Sequence, residues 1–168
     1  MIKRNIILIL LLTVLFVSYQ NSIPDKNLDA TNSQINNNIS INTSSNEKLS
    51  SLTLANDQYL VLNLWASWCI PCKNEVNELK KIHSNENYIV VGLLVEDSIK
   101  NGEDFIVDNN INYENILNES EVDLIISQFI WSGIPTTVVL NKDFQIINTF
   151  NGEIVAEDIF NTTDLLNK

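Results

Sequence analysis

Residues 65 to 76 read "WASWCIPCKNEV" and hold both cysteines of a 168-residue chain. The run before them, "QYLVLNLWA" at 58 to 66, is apolar with β-branched and aromatic side chains and reads as a buried strand. After Cys72 the apolar residues recur at helical spacing. Strand, Cys-x-x-Cys and helix in that order set the first thiol, Cys69, at a helix N-terminus. Unpaired backbone N–H groups and the macrodipole favour a thiolate there. Pro71 suits the first turn, because the N–H it lacks would have no helical acceptor in that position.

Two thiols so spaced could form a staple, half a metal site or a reversible redox pair. A staple closing four residues would stabilise the fold by only roughly 2 kcal/mol. A zinc site needs two more ligands, and the chain offers His83 and carboxylates but no second Cys-x-x-Cys. The strand-to-helix setting favours redox chemistry. At about 100° per residue, Cys72, Glu75, Val76, Leu79, Ile82 and His83 share one stripe of the helix. Glu75 therefore sits among apolar positions one turn from Cys72, which predicts a partly buried carboxyl with a raised pKa, suited to proton exchange near neutrality. His83 lies about three turns on, roughly 16 Å along the axis, and reads as a packed or edge residue rather than a catalyst.

The remaining pattern is strand over 88 to 96, helix over 98 to 109, strand over 113 to 117 and helix over 120 to 130. "TTVVL" and "FQIINTF" are strands joined by the turn "NKD", and a helix over 155 to 166 closes the chain. Alternation at Ile39, Ile41 and Thr43, the turn residues "SSNEK" and then Leu49 suggest a weak hairpin. Together these elements indicate an α/β sandwich about one sheet.

The other segments set location. Lys3 and Arg4 precede "NIILILLLTVLFVSY", so residues 1 to 19 read as a signal peptide or membrane anchor. The absence of a small-x-small site in "FVSYQNS" favours an uncleaved anchor, and the flanking charges keep that end cytoplasmic, so the rest is exported. Residues 20 to 37 are Asn/Ser-rich and read as a flexible linker to a domain over 38 to 168. The net charge of −11 and the lack of a basic stripe exclude nucleic acid as a partner.

"WASWCIPCKNE" followed by "SGIPTTVVLNKD" resembles the thioredoxin superfamily, and within it the exported, membrane-tethered TlpA/ResA-like thiol-disulfide oxidoreductases. The resemblance covers about residues 38 to 168. It implies a thioredoxin-like fold, a central mixed sheet flanked by helices. The activity implied is dithiol–disulfide exchange with no cofactor beyond a redox-active Cys69–Cys72 disulfide and no metal. Cys69 would be the exposed nucleophile, Cys72 the resolving thiol and Glu75 the group that manages the Cys72 proton. Trp68, Ile70, Pro71, Ile134 and Pro135 would bind the substrate, with the Ile134–Pro135 bond cis and beside the CxxC, and Trp131 near the same surface.

Asn63 stands where cytoplasmic thioredoxins bury an aspartate. Asn77 replaces a proline that usually kinks the helix, Phe144 takes a turn position where glycine is common, and Ile70 makes the dithiol's rim apolar. The implied partners are a disulfide-containing exported protein, with apocytochrome c the best-known type, a membrane electron-donor protein, and the membrane itself through the N-terminal segment. An oxidase or isomerase on the same scaffold, or a non-catalytic partner-binding module, are the rival expectations.

Overall fold

The computed structural model describes Asn42 and residues 46 to 166, which lie within the compact unit Gln34–Lys168. The expected anchor, the linker and the first arm of the expected hairpin fall outside the described residues. Among those described, no helix is long and apolar enough to cross a membrane.

The elements run α1 (Glu47–Ser50), β1 (Tyr59–Trp65), α2 (Ile70–His83), β2 (Tyr88–Leu94), α3 (Ile99–Asp108), β3 (Glu114–Ile116), α4 (Glu119–Ile126), β4 (Thr136–Leu140), β5 (Ile146–Asn151) and α5 (Ala156–Leu166). Among the described residues, five strands form one mixed sheet in the order β3-β2-β1-β4-β5. β1 and β2 pair in parallel, as do β2 and β3, while β4 is antiparallel to both β1 and β5. This is the thioredoxin-like arrangement that the sequence resemblance implies.

β1 lies at the centre and every one of its residues is buried, which is why it reads as a continuous apolar run rather than an alternating one. Leu60, Leu62 and Leu64 face one core, shared with Leu49, Val122 and Ile125 from α1 and α4. Tyr59 and Val61 face the other, shared with Leu79 and Ile82 of α2 and Ile159 of α5. By the same alternation Asn63 and Trp65 project to the α2 side. Trp65 is a core residue. Its ring packs on Phe105 of α3 with centroids 4.9 Å apart, and its Nε1 donates to Asn115 Oδ1 at 3.0 Å. Gly92 lies beneath that pair, where a Cβ would clash with both Asn115 Oδ1 and Trp65 Nε1.

Three local expectations change. Leu49 belongs to a short helix rather than a hairpin arm, because Asn46 in the "SSNEK" stretch caps it, its Oδ1 accepting from Leu49 N at 3.0 Å. α4 stops at Ile126, four residues before expected, and the chain turns so that Phe129 enters the core while Ile130 faces solvent. β2 stops at Leu94, and Glu96 adopts a left-handed φ of 52°.

Candidate active site

The chain leaves β1 at Trp65 and makes one turn, with Cys69 N donating to Ala66 O at 3.2 Å, before entering α2. Cys69 is the N-cap of α2, and its sulfur accepts from Cys72 N at 3.2 Å. Pro71 falls in the first turn, as its missing donor permits. Cys69 and Cys72 are joined by a disulfide with their Cα atoms 5.3 Å apart. The sequence resemblance implies an exposed nucleophile, yet Cys69 is only 5% exposed and Cys72 2%. Both cysteines belong to one buried cluster with Trp65, Ala66, Val76 and Leu94, and the residues flanking Cys69, Trp68 at 59% and Ile70 at 75%, are the exposed ones.

Glu75 is 1% exposed on the inward stripe of α2, between Cys72 and Val76 on one side and Leu79 on the other. Its Oε1 accepts from Asn63 Nδ2 at 2.8 Å, and its Oε2 from the backbone N–H of Ile154 at 3.0 Å. The same Asn63 amide also donates to Thr137 Oγ1 at 3.0 Å, which fixes its orientation across β1 and β4. Burial raises the Glu75 carboxyl from 4.5 to about 7, against the opposing pull of the Asn63 and Ile154 donors and with a small push from the charge of Glu153. Such a group passes between its acid and base forms at neutral pH. Tyr113 is close enough that burial, and then the charge of Glu75, push its hydroxyl pKa up.

The Ile134–Pro135 bond is cis, and Ile134 packs against the cluster that contains both cysteines. Ile134, Trp68 and Trp131 line one groove of about 520 Å³, together with Val95, Glu96, Ser132 and Gly133. Pro135 is buried behind it, its carbonyl accepting from Gly152 N at 2.9 Å. Ile70 and Pro71 are exposed on the first turn of α2 and do not line the groove. His83 is a packing residue, its ring edge-on to Tyr113 with centroids 6.1 Å apart.

A protein-family profile described as the AhpC/TSA family matches residues 23 to 149. The chain belongs to the AhpC/TSA family. It is also similar to proteins described as thiol-disulfide oxidoreductases. It is 24% identical over 163 residues to the thiol-disulfide oxidoreductase ResA of Geobacillus thermodenitrificans, covering 95% of this chain and 91% of that protein. It is 30% identical over 113 residues to the sporulation thiol-disulfide oxidoreductase A of Bacillus subtilis, covering 64% of this chain and 67% of that one. Among solved structures, a secreted thiol-disulfide isomerase from Corynebacterium glutamicum superposes with a TM-score of 0.56 at 28% identity, over 67% of this chain and 72% of the other. This AhpC/TSA member, with its bonded Cys69–Cys72 pair at a helix N-terminus, is a thiol-disulfide oxidoreductase of the ResA type.

Two features of this family member escape a sequence reading. One is the pairing of Asn63 with Glu75, twelve residues apart on different elements; the only signal is a polar residue inside an otherwise apolar strand. The other is Asp97, which reads as a linker between strand and helix. In the structure its carboxylate binds Ser67, two residues before Cys69.

Proposed function

We propose that this protein works outside the cytoplasm as a reductase of disulfides in exported proteins. Residues 1 to 19 tether it to the membrane or direct its export, and a membrane protein returns electrons to it. Apocytochrome c is one client that the family resemblance suggests. The similar Corynebacterium glutamicum protein, described as secreted, supports the location.

In the reduced enzyme the Cys69 thiolate, favoured by its N-cap position and the Cys72 N–H, attacks one sulfur of a client disulfide. A mixed disulfide forms between Cys69 and that sulfur, and the other client sulfur leaves as a thiolate. Glu75 in its ionised form takes the proton of Cys72. The Cys72 thiolate then attacks Cys69 Sγ, closing the intramolecular disulfide and expelling the second client thiolate. Two electrons pass from the dithiol to the client.

The observation that carries the reading is Glu75, buried and doubly hydrogen-bonded one turn from Cys72. Besides accepting a proton, its negative charge disfavours thiolate on the pair. That destabilises the reduced form and lowers the potential, the opposite of the stabilised thiolate that makes a strong oxidant. The likeness to a protein described as an isomerase favours, as a second reading, disulfide shuffling on the same scaffold.

The potential of the Cys69–Cys72 couple, measured by equilibration with glutathione or thioredoxin, separates the two. A reductase is expected near thioredoxin, about −270 mV, whereas a value near that of a strong oxidant, about −120 mV, overturns the proposed direction.

A further inference from the structure

Ser67 and Trp68 directly precede Cys69, and both are held by the turn that joins β2 to α3. Asp97 Oδ2 accepts from the Ser67 backbone N–H at 2.8 Å and from its hydroxyl at 2.5 Å. The indole Nε1 of Trp68 donates to the carbonyl of Glu96 at 3.3 Å. One step further back, Val95 N donates to Trp65 O at 2.9 Å. The loop entering the CxxC is thus clasped along its length by residues 95 to 97.

The second carboxylate oxygen, Asp97 Oδ1, accepts from Ser98 N at 2.8 Å and Asn101 Nδ2 at 2.9 Å, at the start of α3. Four donors therefore fix one carboxylate, two from the active-site loop and two from the helix beside it. Burial would raise this carboxyl, but the bonds from Ser67, Asn101 and Ser98 outweigh it and hold it below the ordinary range. The charge persists at neutral pH, and charge-assisted bonds are the stronger kind. The adjoining Glu96 keeps its left-handed backbone within this clasp, a conformation that residues with side chains adopt seldom.

The geometry points to Asp97 as a positioning residue for exchange with protein clients. Through Ser67 and the adjoining Glu96 carbonyl it sets the Trp68 indole as a wall of the groove beside Cys69, and so decides where a client chain lies against the disulfide. This assignment rests on the proposed exchange with protein clients, and on a client lying in the groove that Trp68, Trp131 and Ile134 line. Asp97 exchanges no proton or electron; it acts only through the residues it holds.

The test compares Asp97→Ala with the wild type in two reactions: reduction of insulin by the reduced protein, and reduction of the Cys69–Cys72 disulfide by dithiothreitol. The KM for insulin is expected to rise about tenfold, the scale of a lost charge-assisted hydrogen bond, with kcat within about twofold. The dithiothreitol rate should change less than about twofold, because a small thiol needs no groove wall. Asp97→Asn, which keeps one acceptor oxygen, should recover part of the KM. An unchanged KM in Asp97→Ala overturns the assignment, as does an equal loss in both reactions, the signature of general structural damage.

Should Asp97→Ala fail to fold, Ser67→Ala removes the hydroxyl arm alone. It is expected to raise KM about threefold, in keeping with one lost hydrogen bond, and an unchanged value overturns the assignment equally. A wild-type protein that dithiothreitol reduces readily but that leaves insulin untouched overturns the proposed function itself, and this inference with it.

Discussion

At the scale of single residues, Glu75 has a bland reading as well as a catalytic one. Its two oxygens satisfy Asn63 and the Ile154 N–H, so it could serve only to pin the start of α5. Neighbouring Glu78 does a comparable job, accepting from Ala156 N at 2.9 Å. The pH dependence of stability shows whether Glu75 also titrates near neutrality. Its carboxyl rises from 4.5 to about 7 on folding, so between those pH values the folded state holds a proton that the unfolded state has released. Its contribution is full below about pH 4.5 and is lost as pH rises through 7, a loss of about 3 kcal/mol once the group is ionised in both states.

Glu75→Gln abolishes that dependence, so denaturant midpoints measured from pH 5 to 8 should fall with pH in the wild type and lose that component in the variant. The same substitution should slow exchange about a hundredfold at pH 8, the lower end of what general acid–base catalysis contributes. It should also flatten the rise in rate between pH 6 and 8. Identical rate–pH profiles in wild type and variant would leave Glu75 a structural carboxylate.

At the scale of elements, α2 carries the site and is held mainly by its apolar stripe. Leu79 and Ile82 are buried against β1, β2 and α5. Leu79→Ala should cost about 3 kcal/mol, seen as a lower denaturant midpoint, since the cavity it leaves lies against a rigid sheet. Lys81→Ala should leave the midpoint unchanged, because its pairing with Glu157 at 2.6 Å is exposed to solvent on both sides.

Elements with a strong period were legible beforehand: α2 from its stripe, β1 and β4 as apolar runs, α3 and α5 within a residue or so of their bounds. Where tertiary contacts override local pattern, the sequence misleads. The "SSNEK" stretch looked like a hairpin turn, but Asn46 caps a helix that drives Leu49 into the core. Phe144, by contrast, stands as the sequence implied at a turn position suited to glycine: its φ is a left-handed 55°, its N bonds Asn141 O at 2.9 Å, and its ring packs on the core. No propensity favours phenylalanine there.

At the scale of the molecule, the topology explains why residues distant in sequence meet. The C-terminal ends of parallel β1 and β2 and the N-terminal end of antiparallel β4 lie side by side at one end of the strands. They deliver Trp68 with Cys69, Glu96 with Asp97, and Ile134 with the cis-Pro135 to a common face. The CxxC and the Gly-Ile-Pro loop are recognisable as motifs, so the family and the bonded Cys69–Cys72 pair are legible in the chain. The Asn63–Thr137–Glu75 network and the Asp97 clasp are not, because each depends on which strands become neighbours, and nothing local in the sequence encodes that.

Exchange by this protein requires that Cys69 and Cys72 open and close as a pair, with Cys69 meeting the client. The direct measurement is the intact mass of the Cys72→Ser protein after mixing with a disulfide-bonded protein such as insulin. A covalent 1:1 adduct through Cys69, released by added thiol, is the expected result. A protein that stays unmodified while a small alkylating reagent readily labels Cys69 would contradict the exchange mechanism at its first step.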